Sequence, residues 1–129
     1  MPTVWRAAKG APVRVRAWYG NNGTGLLELY QRKVGTPFVR IGVNPGVDQK
    51  LSCDVAEVAK ALLNLRTVAG SPSGADLPVF LEVSQNGAIL PADDGAGAIL
   101  NGDPPGALQL SPNAVNNAPS EYRFEVRFQ

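Results

Sequence analysis

Ser52-Cys53-Asp54-Val55-Ala56-Glu57-Val58-Ala59-Lys60-Ala61-Leu62-Leu63-Asn64 is the stretch on which the fold class turns. Asp54 is a good helix N-cap, because its carboxylate can accept the orphan N–H groups of a first turn. Glu57 stands three residues on, as in a capping box. Val55, Val58, Ala59, Leu62 and Leu65 then recur at the spacing of one helix face, while Glu57, Lys60 and Asn64 face away. The pattern predicts a helix over about residues 54–65, which the Gly-, Ser- and Pro-containing stretch 70–78 ends.

On either side of it the period changes to two. Val13-Arg14-Val15-Arg16-Ala17 alternates apolar with charged side chains and extends through Trp18 and Tyr19, the mark of a strand with one wet face. After the turn-forming Asn21-Asn22-Gly23-Thr24-Gly25, residues 26–33 read as a second strand with Leu27 and Leu29 on one face. Gly35-Thr36-Pro37 breaks it. A third strand, 38–43, builds a face from Val39, Ile41 and Val43. The three suggest an antiparallel meander. Asn44-Pro45-Gly46-Val47 fits a type II turn, with Gly46 at the position that needs positive φ.

Beyond the helix, Val79-Phe80-Leu81-Glu82-Val83 returns to strand, and Asn86-Gly87 predicts a type I′ hairpin toward Ile89 and Leu90. Tyr122-Arg123-Phe124-Glu125-Val126-Arg127-Phe128 alternates throughout, so its aromatic face must be buried and it belongs inside the main sheet. The expected fold is therefore α+β: a mostly antiparallel β-sheet or small barrel with one packed helix (about 54–65). Residues 91–120 differ, since eighteen of these thirty are Gly, Pro, Asn, Asp or Ser. They predict a long irregular loop, which in an assembly subunit would grip a neighbour.

At 129 residues the chain is a single domain able to bury roughly two thirds of its unfolded surface. The segment 1–11 and the loop 91–120 are its candidate interaction arms. No apolar run is long enough for a transmembrane helix, and the start lacks the pattern of a signal peptide. One cysteine, Cys53, excludes an internal disulfide, so an intracellular origin is expected. Net charge is +1, yet residues 1–40 hold seven basic side chains against the single acid Glu28. Such asymmetry can steer a partner or further copies of the chain into register.

The chemistry is bounded by what is missing. With no histidine, Ser-His-Asp and Cys-His catalysis and the common His-containing zinc sites are excluded. Cys53 at a helix start lacks a suitable base and reads as structural. Asp93, Asp94, Asn101 and Asp103 lie in a Gly-rich loop, but their spacing does not match a calcium loop. The expectation is a non-enzymatic protein without catalytic residues, metal ligands or cofactors. Arg14, Arg16, Trp18 and Tyr30 could form a basic, aromatic strand surface of the kind that binds single strands, although near-neutral charge argues against nucleic acid; Arg14, Arg16 and Trp18 are also candidate contacts to a protein partner. Trp5, with little nearby to bury it, and the isolated apolar residues Leu100, Leu108 and Leu110 complete the candidate interface.

The stretch 52–64, followed by a loop, further strands and the Gly-rich Gly95-Ala96-Gly97-Ala98-Ile99-Leu100-Asn101-Gly102, resembles a pattern that recurs in tailed-phage virion structural proteins. The similarity covers about residues 38–102, with Leu62 where isoleucine is usual and Asp103 in place of a second closing glycine. That resemblance implies a capsid decoration (cement) protein on the capsid surface of a virion, made in the host cytoplasm. Its partners would be the major capsid protein or other virion subunits and copies of itself, as a trimer, with no membrane. A tail, neck or head–tail completion subunit, a carbohydrate-binding β module using Trp5, Trp18 and Tyr19 as sugar platforms, and a nucleic-acid-binding β module remain the alternatives.

Overall fold

The computed structural model describes residues 3–33, 35–93 and 107–129. Among them there is no helix. Ten strands make two sheets: β1 (Thr3–Ala7), β2 (Val13–Tyr19), β3 (Gly25–Arg32), β4 (Val39–Val43), β5 (Leu51–Val55), β6 (Lys60–Ala69), β7 (Val79–Gln85), β8 (Ala88–Ile89), β9 (Leu108–Gln109) and β10 (Pro119–Phe128). The first sheet runs β1-β10-β6-β3-β4 and the second β5-β2-β7, with β8 and β9 both pairing along β7. All ladders are antiparallel except β1 with β10.

The expected helix over 54–65 is thus overturned: the stretch is the end of β5, a four-residue connection and the start of β6. Its residues satisfy two periods at once. Ala61, Leu63, Leu65, Thr67 and Ala69 alternate along β6 and are all buried, whereas Ala59 of the supposed helix face is exposed. The capping pair has distant partners instead. Asp54 accepts the Arg14 Nε–H at 3.0 Å and Glu57 accepts the Gly10 N–H at 2.6 Å. Pairing of β6 with β10 on one side and β3 on the other outweighs local helix preference.

The meander is corrected as well. β3 and β4 form a hairpin in the first sheet, but β2 lies in the second, between β5 and β7. No type II turn forms at Gly46; the hydrogen-bonded turn begins there, with Gln49 N–H donating to the Gly46 carbonyl. Asn86 and Gly87 do take positive φ, 52° and 80°, as a type I′ hairpin requires. The expected loop 91–120 is in part regular structure. Leu108 and Gln109 pair with Leu81 and Phe80, Ala114 bridges Leu77, and residues from Pro119 belong to β10. The N-terminal segment is built in too, as β1.

Side chains from the two inner faces meet in one core, where Trp5, Leu27, Leu29, Leu51, Leu63, Leu65 and Leu81 are fully buried. The sandwich is tied along one flank, because Trp5 bridges Ala92 and the Asp93 N–H donates to the Val4 carbonyl. Along the other flank β4 and β5 come together, with the Cys53 thiol donating to the Ile41 carbonyl at 3.4 Å. Trp18 and Phe80, at 6.2 Å between ring centroids, pack separately with Ala107 on the outside of the second sheet.

Candidate interaction surface

Alternation along β2 places Arg14, Arg16 and Trp18 on the outer face of the second sheet, opposite Ser84, Glu82 and Phe80 of β7. This surface is internally neutralised. Arg14 is held by Asp54, and Arg16 lies 3.5 Å from a Glu82 carboxylate that is itself buried. The Lys50 ammonium sits 4.4 Å from the Trp18 ring centroid. Trp18 is only 6% exposed. A shallow cleft of about 550 Å³ opens beside Arg14, Arg16 and Glu82. Trp18 Nε1 and Glu82 Oε2 are buried without a hydrogen-bond partner.

The other expected contact residues are dispersed. Trp5 is 1% exposed and meets Phe124 inside the core. Leu108 is buried and Leu110 half-buried, both packed against the same core, so neither is the isolated apolar patch its flanking sequence suggests. Leu100 lies outside the described residues, as do Asp94, Asn101 and Asp103 of the Gly-rich loop. Asp93 is bound by Arg6 at 2.8 Å, which holds its carboxyl below the usual range. Cys53 sits on β5, not at a helix start, and burial pushes its thiol pKa up, with Asp54 adding to the effect. Among the described residues no group of three or more His, Cys, Asp or Glu side chains converges as a metal site would need.

What stands out is β4, the edge strand of the first sheet. Val39 is 62% exposed, Ile41 36% and Val43 42%, and Val47 just after them is 61%. These four are all but one of the large exposed hydrophobics among the described residues. The face that Val39, Ile41 and Val43 build is therefore largely open. A register shift at Leu29/Tyr30 explains part of this: Leu29 opposes Gly42 and Tyr30 opposes Arg40, leaving Ile41 as the extra residue of a bulge. Gly42 faces the core, where a Cβ would stand 2.9 Å from the Cys53 Cβ. That glycine, flanked by apolar residues within a strand, is the one sequence signal that could have revealed the arrangement.

Beside this edge lies a charged framework. Glu28, 7% exposed, receives Arg66 at 2.9 Å and Arg40 at 3.0 Å. Burial works to raise its carboxyl pKa, but hydrogen bonds from Arg40 and Arg66 outweigh it and the net direction is down. The exposed valines are thus carried on a braced strand. Comparison with known proteins found no matching family model, curated protein or solved structure.

Proposed function

We propose that this chain is a non-enzymatic assembly subunit, and specifically a capsid decoration (cement) protein of a tailed-phage head. Its contacts would be with the major capsid protein and with copies of itself. The observation that carries the reading is the run Val39, Ile41, Val43 and Val47 on the β4 edge and the turn after it. Exposed apolar edge strands invite pairing with another chain, and proteins that stay monomeric usually blunt them with charge, proline or cover. Arg40 is the one charge within β4, and Glu28 holds it; the bulge at Ile41 and Pro45 in the turn are the other interruptions of the run.

Two other facts favour protein contacts over the alternatives. Trp5, Trp18 and Tyr19, which a sugar platform would present, are each buried. Arg14 and Arg16, which a single-strand groove would present, are each engaged by a carboxylate. Many copies on one shell would allow each contact to be weak.

Gradient sedimentation of lysate from the native source, with this chain followed by mass spectrometry, tests the proposal. Co-migration with large particles in many copies is the expected result. A small free species at the top of the gradient would overturn it.

A further inference from the structure

The chain has eight arginines. Six of them, Arg6, Arg14, Arg16, Arg40, Arg66 and Arg127, are each within 4 Å of a carboxylate. The remaining two, Arg32 and Arg123, have no ion pair among the described residues and meet at one place. Their guanidinium carbons lie 5.1 and 5.4 Å from the centroid of the Phe38 ring. Arg32 comes from β3 and Arg123 from β10, with β6 between them. Phe38 folds in from the β3–β4 connection, whose turn is tied by Thr36 Oγ1 donating to the Lys33 carbonyl at 2.7 Å.

Together they border a groove of about 470 Å³ on the outer face of the first sheet, lined by Arg32, Phe38, Leu62, Arg123 and Glu125. Leu62 is half-buried. It pairs with Arg32 on one side and Glu125 on the other. Glu125 does not supply the missing anion. Lys60 and Arg127 already hold it, at 3.6 and 3.0 Å. The groove therefore combines an apolar side chain, an aromatic wall and two guanidiniums that no carboxylate among the described residues pairs.

We infer that this groove binds a partner-protein segment carrying an apolar side chain flanked by carboxylates. The apolar side chain lies against Leu62 and Phe38, and the carboxylates pair with Arg32 and Arg123. Guanidinium forks match carboxylates bidentately. Phe38 already has both guanidiniums against it, which leaves it a poor platform for a nucleobase and favours an acidic peptide over a nucleic acid. The inference does not depend on the particle assignment: the peptide test below reads the groove alone.

The test is an NMR titration of the isotope-labelled full chain with acetyl-Glu-Leu-Phe-Glu-amide and its Gln-Leu-Phe-Gln counterpart. The acidic peptide should shift Leu62 and the Arg32 and Arg123 Nε–H signals. It should bind about fivefold tighter than the neutral one, the gain expected from two exposed ion pairs. High salt should erase most of the difference. Arg32→Gln and Arg123→Gln should each remove part of the preference. The double variant Arg32→Glu/Arg123→Glu, checked by thermal melting, should prefer acetyl-Lys-Leu-Phe-Lys-amide. Equal binding of the acidic and neutral peptides would overturn the inference, as would shifts elsewhere or tighter binding of an oligothymidine at the same residues.

Discussion

The Trp5 indole meets the Phe124 ring nearly edge-on, at 5.5 Å between centroids and 78° between planes, and so locks β1 onto β10. Edge-to-face pairs of this kind contribute about 0.5–1.5 kcal/mol beyond their buried area. Trp5→Ala should therefore destabilise the fold by about 3–5 kcal/mol, the range for deleting a buried aromatic. A double-mutant cycle with Phe124→Ala in urea should return a coupling of about 1 kcal/mol. Additive losses would mean that the two rings are independent.

Asn44 is the hub of the turn after β4. Its Oδ1 accepts the Leu27 N–H at 3.0 Å, while Nδ2 donates to the carbonyls of Gly25, Gly46 and Gln49 at 2.9, 2.8 and 3.2 Å. Asn44→Ala takes this partner from the buried Leu27 N–H and Gly25 carbonyl and should cost about 1–3 kcal/mol. Asn44→Asp should be no milder, since it removes the donor that three carbonyls share. Chemical denaturation of both variants checks the order.

The Glu28 clamp predicts an acid sensitivity with a definite sign. Its folded pKa is held below the ordinary 4.5, so it stabilises the fold above that pH and the contribution is lost as pH falls through the lowered value. Glu28→Gln should melt lower than the parent chain at neutral pH. The gap should narrow as the solution is acidified below 4.5. A gap that stays constant into strong acid would contradict the clamp.

Val39, at 62% exposed, has little to lose within its own chain. Val39→Lys should change monomer stability by no more than about 0.5 kcal/mol. It should nevertheless weaken assembly, because a charge is the usual way to blunt a strand edge. Analytical ultracentrifugation alongside thermal melting separates the two effects.

The strands that were legible in the sequence are those whose pattern allows one period. In β2 and β10 a charged or polar residue alternates with a buried one, and Asn86-Gly87 leaves its hairpin few other conformations. The stretch 52–65 is ambiguous because Val55, Leu62 and Leu65 suit a helix while Ala61, Leu63 and Leu65 suit a strand. Arg14, Gly10, β3 and β10, all remote in sequence, decide between them. Remoteness also hid the groove, since Arg32 and Arg123 come together only once β6 lies between their strands. Part of the exposure of β4 depends on a one-residue bulge, and the apolar run alone does not disclose it.

The parallel pairing of β1 with β10 also gives the molecule a mechanical character. Thr3 lies beside Phe124 and Ala7 beside Phe128, and Gln129 N–H reaches the Ala7 carbonyl at 2.9 Å. A pull applied through the chain at both ends draws these two strands past each other lengthwise. The ladder must then fail as a whole, in shear, instead of peeling open one bond at a time. Tension transmitted along the chain therefore meets its stiffest resistance at the seam where the first strand joins the last.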